Sequence, residues 1–146
     1  MPENYNRKQG EVLLFENSNR DLNTAAPVDH RMHSVGEPFT KFIVTKIRVT
    51  WEQGTVGGTP ATVEFWTGTG GTGTKFVDAV ALSGITGAGA VQFLTINTAG
   101  QTTILTSTDT GGAGGTSRII VHMRETIANN GTQLFCNVKI YGYIAD

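Results

Sequence analysis

The sequence predicts an all-β fold, a small antiparallel β-sandwich with an extended N-terminal arm. Three observations carry that expectation. Glycine supplies 19 of 146 residues and threonine is at least as common, while leucine, glutamate and lysine are scarce. Threonine is stiff at χ1 and suits a pleated surface, and glycine opens the positive φ that tight connections need. Apolar and polar residues alternate with the period of a strand through most of the chain. The alternating segments are short and punctuated by turn residues, which reads as seven or eight strands in one small domain.

Residues 1–40 read as the arm. They mix Arg7, Lys8, Arg20 and Arg31 with Glu3, Glu11, Glu16, Asp21, Asp29 and Glu37, and only Glu11-Val12-Leu13-Leu14-Phe15 is compactly apolar. One short strand is expected there. The sandwich domain is expected over 41–146. From Lys41 to Trp51 the set Ile43, Thr45, Ile47, Val49 and Trp51 alternates with Lys46, Arg48 and Thr50, a half-buried strand entered after Pro38. A second strand, 61–67, sets Ala61, Val63 and Phe65 against Thr62, Glu64 and Trp66. Over 75–82, Phe76, Val77, Val80 and Ala81 fit a helix and Phe76, Val80 and Leu82 fit a strand; the all-β neighbours favour the strand. Segments 91–97 and 102–106 read as a hairpin joined through Ala99-Gly100. Then 118–126 places Ile119, Val121 and Met123 opposite Ile120, His122 and Arg124, and Asn129-Asn130-Gly131 supplies a turn. In the last strand Leu134, Cys136, Val138, Ile140 and Ile144 point one way, and Phe135, Asn137, Lys139, Tyr141 and Tyr143 the other.

Composition narrows function by exclusion. A 15.6 kDa chain fits one domain. With 11 Lys+Arg against 12 Asp+Glu and a net charge of -1, nothing global attracts nucleic acid or an anionic membrane. No apolar run of about 20 residues is present to span a bilayer, and the charged start has no apolar signal region behind it. Synthesis in the cytoplasm without export is the expectation. The one cysteine, Cys136, falls in an apolar strand set and is expected to be inert.

Motifs for chemistry fail on context. Gly68-Thr69-Gly70-Gly71-Thr72-Gly73 matches G-x-G-x-x-G, but a dinucleotide fingerprint needs a following helix and an acidic residue about 20 positions on, and no Asp or Glu lies between Asp78 and Asp109. A flexible hairpin tip is expected instead. His30 and His33 are spaced i, i+3, yet Pro27 and Pro38 flank them and no further zinc ligand is set by spacing. His122 is expected on the surface or at an interface. Ser34 beside His33 lacks a nucleophile elbow, Glu64 with Asp78 has no spacing that marks a glycosidase pair, and Asp109 lacks the alternating acids of a calcium loop. Asn130-Gly131-Thr132 is formally a glycosylation sequon but falls in the expected turn, and Gly111 to Gly115 reads as a loop tip. No catalytic, metal or cofactor site is expected, and the chain is expected not to be an enzyme.

The Thr/Gly-rich sandwich of 41–146, the polar arm and the ending Val138-Lys139-Ile140-Tyr141-Gly142-Tyr143-Ile144 resemble bacteriophage capsid decoration (cement) proteins. The closing strand is also similar to that of trimeric tumour-necrosis-factor-like and C1q-like jelly rolls. The resemblance implies a jelly-roll domain that trimerises on the outside of a phage capsid, binds the major capsid protein and belongs to the virion. Arg7, Lys8, Val12, Leu13, Leu14, Phe15 and Arg20 are then the expected capsid contacts of the arm. Trp66, Phe135, Tyr141 and Tyr143 are the expected subunit interface, because aromatic residues concentrate at interfaces. The alternative is a glycan- or receptor-binding module of a phage fibre or spike, with Trp66 or Tyr143 as a stacking platform.

Overall fold

A computed structural model describes residues 10–23, 25–36, 38–111, 118–131 and 133–146. In chain order the described elements are β1 (Val12–Asp21), β2 (Val28–Ser34), β3 (Lys41–Gly54), β4 (Thr62–Trp66), β5 (Lys75–Ala81), β6 (Val91–Leu94), α1 (Thr98–Thr102), β7 (Leu105–Thr106), β8 (Thr110–Gly111), β9 (Arg118–Ile127) and β10 (Leu134–Ile144). Every pairing is antiparallel, and the main path runs β5-β4-β9-β2-β1-β10-β3-β6. The link between β1 and β2 is short, with Phe15 opposite Ser34 and Glu16 opposite His33. The path therefore folds into two four-stranded layers, β6-β3-β10-β1 and β2-β9-β4-β5. That order is a jelly roll, nearly closed. β7 extends the first layer beside β3, and β8 lies beside the start of β9.

The core fills the space between the layers. Leu14, Phe15, Phe42, Ile47, Val49, Cys136, Val138 and Ile140 from the first layer are buried with Met32, Val63, Phe65, Phe76, Val121 and Met123 from the second. Phe15, Phe39 and Phe42 meet edge to face at centroid distances of 4.9–6.0 Å.

The expected arm is corrected by this topology. Residues 12–34 supply two strands, and both lie in the interior of the path, β1 between β2 and β10 and β2 between β1 and β9. Mixed charge hid them: β2 shows only Met32 as an aliphatic inward residue, beside His30 and Ser34. Within β1, the partner of Leu13 is Tyr141 and that of Phe15 is Ile140, so Leu14 is an extra bulged residue and both Leu14 and Phe15 turn inward.

A second bulge corrects the register expected for β3. Lys46 pairs with Tyr141 and Val44 with Gly142, leaving Thr45 extra, so the buried set is Phe42, Val44, Ile47 and Val49 while Ile43 and Thr45 turn outward. Residues 75–81 are strand, as the neighbours favoured. The hairpin expected over 91–106 is absent: β6 and β7 both pair with β3, and a helical turn joins them. Asn97 caps that turn by accepting from the Gly100 amide. Gly100 is required there, since a Cβ would lie 2.5 Å from Ile96 and 2.9 Å from Phe76.

The outward edges of β5 and β6 face each other across the seam. Polar side chains span it. Gln92 on β6 donates to the Ala81 carbonyl and accepts from the Gly84 amide, and Asn97 donates to the Lys75 carbonyl while its own amide donates to that of Phe76.

Candidate functional site

Two outer surfaces carry features that folding alone does not require. On the first layer, β-strand alternation places Val91 and Phe93 of β6 outward, where they are 45% and 61% exposed. Pairing sets Phe93 beside Arg48 and Arg48 beside Lys139, with Glu16 next in the row. Directly opposed like charges are unfavourable. Among the described residues neither Arg48 nor Lys139 has an ion-pair partner, and the buried Arg48 Nε has no hydrogen bond. By contrast Lys46 is matched, lying 3.3 Å from Glu11 and 4.5 Å from the Tyr141 ring centroid. Glu11 also accepts from the Thr45 hydroxyl, and these bonds hold its carboxyl below the usual range.

On the second layer the glycine-rich β4–β5 turn curls over the sheet. It is a hairpin tip, as the sequence suggests, but a pinned one. The Gly70 amide donates to Asp29 Oδ2 at 2.6 Å, the Thr69 hydroxyl to the same oxygen, and the Thr69 amide to Asp109 Oδ2 at 3.0 Å. Gly70, Gly71 and Gly73 have positive φ, the conformation this tip demands. Asp29 also meets Arg124 at 3.1 Å. Burial pushes its carboxyl up, but the Gly70 amide and Arg124 together outweigh that and hold it below its ordinary value.

Beside this tip, His122 Nε2 lies 2.9 Å from Asp109 Oδ2. His122 is 3% exposed and its Nδ1 has no partner. A cavity of about 210 Å³ opens there, lined by Arg31, Thr69, Asp109, Thr110, Ile120 and His122. Asp109 also borders a second cavity of about 260 Å³, walled by Thr67, Thr72, Thr74, Thr106, Ser107 and Thr108 among others.

The residues expected from sequence are scattered. Leu14 and Phe15 are wholly buried, so they are core and not capsid contacts; Val12 and Leu13 are half-buried in β1. Arg7, Lys8 and the Arg20 side chain lie outside what is described, as do Thr132 of the sequon and residues 112–115 of the glycine loop. Phe135, Tyr141 and Tyr143 are half-buried on the outer face of β10, in the first layer, whereas Trp66 belongs to β4 in the second. The four therefore do not form one patch. Trp66 is no open platform either, with Lys75 Nζ 5.4 Å from its ring and its indole donating to Glu64.

His122 is not a surface residue, and its carboxylate partner Asp109 comes from a segment 13 positions away that sequence spacing could not pair with it. His30 faces inward from β2 and meets the fully buried Glu125 at 2.8 Å. Cys136 is buried, and burial pushes its thiol up to about 12. Among the described residues no group of three or more His, Cys, Asp or Glu is placed to hold a metal ion. Comparison with known proteins matches this chain to no family model, no curated protein and no solved structure.

Proposed function

We propose that this jelly roll is a structural virion protein of the decoration type, which binds the outside of a phage capsid as a trimer and performs no bond-making. The exposed pair Val91 and Phe93 beside the unmatched cations Arg48 and Lys139 carries the reading. A sheet face with an apolar anchor beside two cations that no ion pair engages suits a partner surface that is apolar at its centre and acidic at its rim. The major capsid protein is the partner proposed for it. Sheet architecture supports the role, because a filled core and layered strands hold such a face rigid.

The test is co-sedimentation with capsids assembled from the major capsid protein of the same genome, with native mass measurement of the free protein. A trimer that saturates the particles is expected, with Phe93→Asp weakening attachment about tenfold or more at an unchanged melting temperature. A monomer that ignores the particles, or a Phe93→Asp variant that binds them as well as the parent, overturns the proposal. The second reading, a glycan- or receptor-binding module of a fibre or spike, draws on the mixed-charge cavity at Arg31, Asp109 and His122.

A further inference from the structure

We infer that the cavity between the β4–β5 turn and β9 is a binding site for one ring of a neutral saccharide, a ligand recognised through adjacent hydroxyls. The inference gives the binding-module reading its ligand class and stands apart from the capsid reading.

The cavity wall carries both charges, unpaired with each other. Arg31 is exposed, and its guanidinium makes no hydrogen bond or ion pair among the described residues; Asp109 uses Oδ2 for His122 and the Thr69 amide, and no described donor reaches its Oδ1. A free guanidinium across a small cavity from a free carboxylate oxygen selects against simple ions. An anion meets Asp109, and a cation meets Arg31. A hydroxyl both donates and accepts, so two neighbouring hydroxyls can give a hydrogen bond to Asp109 and take one from Arg31. The Thr110 side chain lines the same wall. The volume matches about seven waters, the space of a single six-membered sugar ring.

His122 explains why the carboxylate is held so firmly. It is a positioning residue: buried, it holds Oδ2 and leaves Oδ1 without a described donor. Its own Nδ1 goes without a partner, a cost that a merely structural residue has no reason to impose on the fold. The pinned turn adds the Thr69 amide to the same oxygen, so the acceptor is set before any ligand arrives, which lowers the ordering cost of binding.

The experiment is a ¹H–¹⁵N NMR titration of the full chain. The probes are methyl glycosides of glucose, galactose, mannose and N-acetylglucosamine, with sodium sulfate as the anionic arm. At least one glycoside is expected to give saturable shifts at the Thr69, Thr110 and His122 amides, with a dissociation constant on the order of millimolar. Arg31→Gln, at an exposed position, and Asp109→Asn should each weaken that binding about tenfold while the remaining spectrum keeps its dispersion. No saturable shift with any of the glycosides overturns the inference. So does saturation by sulfate alone, or glycoside binding that Arg31→Gln leaves unchanged. Because Phe93 is on the other layer, failure here leaves capsid attachment unaffected, and the reverse also holds.

Discussion

Asp29 shows how one side chain ties three segments together. From β2 it receives the Gly70 amide and Thr69 hydroxyl of the β4–β5 turn and the guanidinium of Arg124 on β9. Its carboxyl titrates below the ordinary 3.8 in the folded chain, so the charged form stabilises the fold fully above that value and the stabilisation is lost as pH falls through and below it. Asp29→Asn should therefore cost about 1 kcal/mol near neutrality, with the gap to the parent closing as the pH is taken below 3.8. Thermal melts across that range check it; a gap that stays constant means the carboxylate charge is not what the turn uses. The sequence offered Asp29 only as one charge among many in an apparent arm. Its partners stand 41 and 95 positions away, a distance no local pattern reports.

Strand alternation was readable wherever one face is apolar, and β4, β9 and β10 run with the inward sets the sequence gives them. It failed at Thr45, where a bulge changes phase inside β3, because a bulge depends on the partner strand and leaves no local mark. It also failed for β2, whose buried face holds His30 and Ser34 in place of aliphatic residues. The correction has a measurable consequence. Since Phe15 is fully buried between β2 and β10, Phe15→Ala should cost about 3–5 kcal/mol, and a chain lacking residues 1–16 should not fold. Denaturant unfolding and circular dichroism read both. A truncated chain with native stability would return β1 to the role of a detachable tether.

At the scale of the molecule, the all-β sandwich was visible in composition and spacing and the jelly roll was implied only by resemblance, whereas the two outer surfaces were not visible at all. Val91 and Phe93 looked like ordinary members of a short strand until β6 fell at an edge with its outward face bare. Arg48 and Lys139 became neighbours only through the pairing of β3 with β10. The mixed-charge cavity needs four separate segments and could not be assembled from any motif.

The amides of Gln92 and Asn97 give this architecture a guard against its own chemistry. Carbonyls at Lys75, Phe76 and Ala81 would otherwise stand ready to template a foreign strand. Gln92→Val keeps the outline of the side chain's base but removes both bonds that it makes across the seam. Such a protein should melt only slightly earlier yet gather into thioflavin-positive fibres on storage, and a variant that stays dispersed would mean the gap needs no latch. Crowding many copies onto a shell, as decoration requires, would make that latch a condition of assembling in order.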